Sequence, residues 1–197
     1  FVFAQETYDV VIRGGRVMDP ETGLDAVRNV GIRGQTVVAI TEDDIRGETI
    51  IEAAGLVVAP GFIDLHAHGQ SNRANDFQAM DGVTTALELE SGVPSVAGYM
   101  SARAGDALLN FGASVSMGAA RTSVMPQYRA EFEAAYAAFS REASAEARRE
   151  AGRVAGLGNY DVLPKELYPA LHDRIREGMA AGALGIGMAH QYYPGAS

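Results

Sequence analysis

The stretch Val57-Val58-Ala59-Pro60-Gly61-Phe62-Ile63-Asp64-Leu65-His66-Ala67-His68 is where the chain changes texture. Read as a β-strand, residues 62–68 alternate faces, so Asp64, His66 and His68 point one way and Ile63 and Leu65 the other. Two imidazoles leaving one strand face can converge on a single divalent ion. A bare His-x-His is more often a pair of polar residues on a solvent-facing strand. The surroundings therefore have to decide.

Upstream, short β-rich runs alternate with turn signals: Tyr8-Asp9-Val10-Val11-Ile12-Arg13, then Gly14-Gly15, then Arg16-Val17-Met18 before Asp19-Pro20. Val30-Gly31-Ile32-Arg33 and Thr36-Val37-Val38-Ala39-Ile40 flank Gly34-Gln35, the pattern of a hairpin with a two-residue turn. Thr49-Ile50-Ile51-Glu52 and Leu56-Val57-Val58-Ala59 complete what reads as a small β-sandwich over residues 6–60. Downstream, from residue 61 to 197, strands expected at 62–68, 84–90, 113–117 and 183–188 are separated by helical stretches, the signature of β/α units on a parallel sheet. An Ala/Glu/Arg-rich region over 129–153 and a second helix over 165–181 lie between the last two strands. Four such strands in 197 residues fall short of the roughly 250 residues of a closed eight-stranded β/α barrel. The expectation is half a barrel, completed by the remainder of its own polypeptide or by another copy in a homo-oligomer, because an open sheet would expose strand edges.

Composition narrows the function classes. A formal charge of −9 and no dense basic block argue against nucleic acid as the partner. Zero cysteines exclude disulfides and thiolate catalysis in this stretch and restrict any zinc site to histidine, carboxylate and modified-lysine ligands. No run approaches the roughly 20 apolar residues that cross a bilayer, so no membrane partner is expected. Phe1-Val2-Phe3-Ala4-Gln5, with Val2 and Ala4 spaced as before a signal-peptidase cut, reads as a signal-peptide remnant over 1–5 and implies a periplasmic or secreted protein.

On the second expected strand, Leu87 and Leu89 are assigned to the outer helices, which turns Glu88 and Glu90 toward the barrel interior. A buried carboxylate there needs a partner, either a basic side chain or a metal. Barrel chemistry gathers at the carboxyl ends of strands, so Glu90 is the candidate ligand and Glu88 lies one layer deeper. His172, beside Asp173 on a helix, reads as a surface residue.

The string from Val57 to His68 resembles the Pro-Gly-hydrophobic-Ile-Asp-x-His-x-His entry motif of the amidohydrolase superfamily, and Gly82-Val83-Thr84-Thr85 resembles its second strand. Gly182-Ala183-Leu184-Gly185-Ile186-Gly187 followed by Tyr192-Tyr193-Pro194-Gly195 resembles the N-acyl-D-amino-acid deacylase, or D-aminoacylase, branch. The resemblance implies an α/β fold in which a β-sandwich precedes a metal-dependent (β/α)8 TIM-type barrel, of which this chain is the first half. It implies that His66 and His68 bind one or two divalent ions, zinc foremost; Glu90 remains the candidate further ligand from its place at the strand end, with Asp64 and Glu88 expected behind the ligands, Asp64 orienting one of them. That branch carries a metal-bridging cysteine where this chain has Ser91, so either Glu90 substitutes or the metal arrangement differs.

The implied reaction is hydrolysis of the linear amide of an N-acyl amino acid, D-configured by resemblance alone, with His190 and Tyr192 on the substrate loop. The general acid-base aspartate of the family is expected beyond Ser197, so the 197 residues alone are expected to be inactive. Hydrolysis of a cyclic amide, as in dihydroorotases and hydantoinases, is the rival within the class. A non-catalytic metal-binding or assembly subunit is the rival outside it.

Overall fold

The computed structural model describes residues 7–68, 71–137 and 144–188. The chain divides into two compact units, Phe1–Pro60 and Gly61–Ser197.

The first unit is built on one long strand, β1 (Thr7–Asp19). Along one edge it pairs antiparallel with β2 (Leu24–Arg33), which pairs in turn with β3 (Thr36–Thr41). Along the other edge it pairs in parallel with β4 (Arg46–Glu52) through its first half and with β5 (Val57–Val58) through its second. The two runs that the Gly14-Gly15 turn signal separates in the sequence are thus one strand. The glycines make a bulge instead of a turn: the β1–β2 register slips between Ile12 and Gly15, and Gly14 takes φ 69°. A side chain at Gly15 would put its Cβ 2.5 Å from Val58 Cγ2, so glycine lets β5 close against the bulge. The hairpin at Gly34-Gln35 forms, with Gly34 at φ 59°. All five strands join in one hydrogen-bonded sheet, whose buried residues include Val11, Val17, Val30 and Ala53.

The second unit holds a four-stranded, all-parallel sheet in sequence order: β6 (Phe62–Asp64), β7 (Val83–Val93), β8 (Asn110–Ser116) and β9 (Ile186–Gly187). Three connections carry α1 (Asn72–Met80), α2 (Val96–Arg103) and α6 (Tyr168–Ala180). Serines start the first two: Ser71 accepts from the Ala74 N–H and Ser95 from the Gly98 N–H, each satisfying a donor the helix leaves open. Proline enters the first turn of α6, where its missing N–H is harmless. The long connection before α6 folds into α3 (Met117–Val124), α4 (Pro126–Ala137) and α5 (Ala145–Ala155).

Helices cover one face of this sheet. Ala113 and Val115 of β8 pack against Val96 and Tyr99 of α2, and Ala86 of β7 packs with Ala79 of α1. The other face carries Ile63 and Leu184, both exposed. The α3–α5 insertion has its own apolar contacts, with Ala119, Phe132 and Val154 in one cluster and Val124, Met125 and Leu163 in another. β6 stops at Asp64, short of the expected 62–68, because the chain bends at Leu65 before the histidines.

Candidate metal centre

The bend after Asp64 brings His66 and His68 to the carboxyl end of β6, beside the carboxyl end of β7. Ala67 between them is buried with Ala86 and Leu109, which anchors the segment while both imidazoles stay exposed. His66 Nε2 stands 2.9 Å from His68 Nε2, and the rings meet edge to face. Glu90 Oε2 lies 3.1 Å from His66 Nε2 and 3.2 Å from His68 Nε2. Three ligand atoms therefore form a small triangle, and the trio is the cluster of metal-competent side chains found among the described residues. A tetrahedral zinc with bonds of ~2.0–2.1 Å holds its ligand atoms about 3.3 Å apart. The triangle is close to that spacing. Its chemistry fits as well: two imidazole nitrogens and a carboxylate oxygen are a donor set that suits zinc.

Glu90 reaches this point through an irregularity in β7. Glu88 is in register with Ala113 and Val93 with Val115, so β7 advances five residues while β8 advances two. The extra length bulges out over residues 89–92, and bulges beside functional sites re-aim side chains. Gly92 permits it, with φ 67° and space for no Cβ, since one would fall 2.7 Å from the backbone of Ser114 and Ser116. Ser91 Oγ donates to Glu90 Oε2 at 3.3 Å, the same oxygen that faces both imidazoles.

Asp64 supports His66 from below. Its Oδ1 accepts the His66 backbone N–H at 2.9 Å and its Oδ2 accepts from Gln78 Nε2 of α1 at 3.2 Å. Gln78 Oε1 in turn accepts from Asn75 Nδ2 at 2.9 Å, and Asn75 is fully buried. Gln78 and Asn75 were not singled out in the sequence. Their i, i+3 spacing on a helix with few apolar positions was the available signal.

Glu88 does not face the barrel interior as alternation from the leucines suggested. Its register partner Ala113 packs against Tyr99 of α2, whereas Leu87 pairs with Gly112, where an added Cβ would strike Leu184 and Leu87 itself. Ala86 and Glu88 thus turn to the helices and Leu87 to the opposite face. The period of two was read correctly but the faces were exchanged, because leucines are buried equally well against either layer. Glu88 is 1% exposed, and its Oε2 lies 3.4 Å from His68 Nδ1. In the same buried layer the Arg103 guanidinium stacks over Tyr99 at 3.7 Å. Burial holds the Tyr99 phenol above its ordinary range, with Arg103 opposing and Glu88 reinforcing that shift. His190 and Tyr192 lie outside the described residues.

A β-rich unit followed by parallel β/α units, with an Asp-x-His-x-His closing the first strand of the second unit, resembles known proteins in both fold and sequence. The fold is similar to that of solved D-aminoacylase, with a TM-score of 0.70 at 21% identity, covering 96% of this chain and 40% of that one. N-acyl-D-glutamate deacylase from Bordetella bronchiseptica, solved with zinc and a phosphonate mimic of the tetrahedral intermediate, matches at 0.65 and 19%, over the same shares. In sequence, dihydroorotase from Streptococcus thermophilus is 36% identical over 97 residues, which is 44% of this chain and 23% of the relative. Dihydroorotase from Streptococcus pneumoniae is 35% identical over 97 residues. No family model matches the chain. Fold and sequence thus both show the resemblance to the amidohydrolase superfamily. The chain spans about a quarter of the length of these curated relatives and two-fifths of the solved chains.

Proposed function

We propose that this chain supplies the first ligands of a zinc centre in a hydrolase that cleaves the linear amide of an N-acyl amino acid. The observation that carries the reading is the convergence of His66 Nε2, His68 Nε2 and Glu90 Oε2 on one point at the carboxyl ends of β6 and β7. A divalent ion bound there would lower the pKa of a bound water toward ~7 and polarise a scissile carbonyl. The chain's own part is to hold that position. His66 is fixed through its backbone by Asp64, Glu90 is aimed by the bulge and by Ser91, and Ala67 anchors the segment between the histidines. The further ligands and the acid-base carboxylate are assigned to strands outside these 197 residues, and the 197 residues alone are proposed to be inactive.

The fold match over nearly the whole chain and the Tyr192-Tyr193-Pro194-Gly195 string support a linear N-acyl amino acid as substrate. The dihydroorotase similarity supports the second reading, hydrolysis of a cyclic amide. Residues 1–5 support export to the periplasm or beyond. Among the described residues no helix is long and apolar enough to cross a membrane.

The deciding experiment supplies the purified enzyme with Zn²⁺ and compares hydrolysis of N-acyl-D- and N-acyl-L-amino acids with that of dihydroorotate and hydantoins, with His66→Ala as the blank. Deacylation that disappears in His66→Ala is the expected result. Turnover confined to the cyclic substrates selects the second reading, and turnover that survives His66→Ala removes the metal site from the chemistry.

A further inference from the structure

The exposed imidazole of His68 touches a side chain of the opposite character. Glu88 is 1% exposed, whereas the His68 side chain is 57% exposed on the segment that follows the end of β6. Glu88 Oε2 lies 3.4 Å from His68 Nδ1, while the other ring nitrogen, Nε2, faces His66 and Glu90. We propose that Glu88 is the positioning residue of this site: its buried carboxylate receives the Nδ1–H of His68 and so presents the Nε2 lone pair to the point where His66 and Glu90 converge. The inference rests on the metal-site reading given above.

A neutral imidazole has one N–H and one lone pair, and the partner of one nitrogen decides what the other can do. Without an acceptor at Nδ1 the ring is free to place its proton on Nε2, which closes that nitrogen to a metal. The carboxylate is well suited to prevent this. It sits mid-register on β7, opposite Ala113, in the layer packed against α2, so its position is set by the sheet and not by the exposed loop. The buried layer also holds the guanidinium of Arg103, stacked on Tyr99. Ligand histidines oriented by a carboxylate bind metal more tightly because tautomer and ring angle are settled in advance.

A carboxylate that served only to neutralise the buried layer would affect stability and leave His68 untouched, so the test reads the ring itself. Zn²⁺ affinity is measured by competition with a chelator in the wild type, Glu88→Gln, Glu88→Ala and His66→Ala. The histidine tautomers of the metal-free proteins are read from ring ¹⁵N shifts at one fixed pH. The expected result is about a 10–100-fold weaker affinity in Glu88→Ala, with His68 moved toward its Nε2–H form. A smaller loss is expected in Glu88→Gln, whose amide oxygen can still accept from Nδ1. Should Glu88→Ala fail to fold, Glu88→Met, which fills the buried space without offering a strong acceptor, takes its place. Wild-type affinity together with an unchanged His68 tautomer in the folded variant that lacks the acceptor overturns the proposal. A wild type that binds no zinc, or binds it as His66→Ala does, overturns the underlying site reading instead, so the two failures are distinguishable.

Discussion

Two clusters of charged side chains in the second unit look alike on paper and behave differently. On α4 and α5, Arg153 bonds to Glu131 and, at 2.6 Å, to Glu150, with all three side chains about half exposed. At the ends of β6 and β7, His66, His68 and Glu90 stand equally close together. The first cluster is complementary: each carboxylate finds guanidinium protons, which hold Glu150 below the usual carboxylate range and Arg153 above its own. The second is convergent: two imidazole nitrogens and a carboxylate oxygen, each able to ligate a metal, face one point. A complementary cluster is complete by itself, whereas a convergent one is completed by a ligand. Close contacts therefore say little until the donors and acceptors are sorted.

The sharpest way to break this comparison is to remove one imidazole. His66→Ala and His68→Ala should each strip the protein of tightly bound metal, read by elemental analysis after dialysis, with the apo melting temperature little changed because both side chains are exposed. Full metal content in both variants would mean that the triangle is fortuitous.

Next in size is the apolar support of the complementary cluster. Phe132→Ala, which empties a buried position against Ala119 and Val154, should destabilise the fold by about 3–5 kcal/mol in chemical denaturation. Zinc affinity in the folded fraction should not follow it, since Phe132 packs within the insertion and is not among the three converging side chains.

A smaller effect is expected from Ser91→Ala, which removes the hydroxyl that aims Glu90 Oε2. Zinc titration should show a loss of about tenfold or less, below that of either histidine. A Ser91→Ala variant as poor as His66→Ala would make the hydroxyl itself a ligand.

The smallest effect belongs to Glu131→Ala. Its partner Arg153 keeps Glu150, and exposed pairs of this kind contribute little. Neither the melting temperature nor the zinc affinity should move measurably. A large drop in stability would show that the complementary cluster bears weight that its exposure denies.

Legibility in the sequence varied from one feature to the next, and each outcome has a local cause. The histidine pair is readable because it follows the Pro60-Gly61 break at a strand end, although the strand stops at Asp64 and a bend, not strand alternation, carries the two rings. The hairpin at Gly34-Gln35 was readable because its turn chemistry is local. Gly14-Gly15 misled, since the same two residues that make a turn also make a bulge, and only the pairing of β1 with both β4 and β5 selects the bulge. Glu90 was placed at the site for a reason that held only in part. Its nearness to the strand end was right, but an unforeseen slip in register, not simple alternation, delivers it. Asn75 and Gln78 were passed over because their value lies in reaching Asp64 across α1 and β6, a contact with no signature in either segment.

By itself the sequence determined the order of elements, the change of texture at residue 60 and the identity of the two imidazoles, because periodicity, glycine, proline and serine caps act within a few residues of themselves. Only the tertiary structure decided which way Glu88 faces, where Glu90 lands and which side chains hold Asp64 and His68. Those outcomes depend on the register between β7 and β8 and on the packing of α1 and α2, and register is settled by neighbours far along the chain.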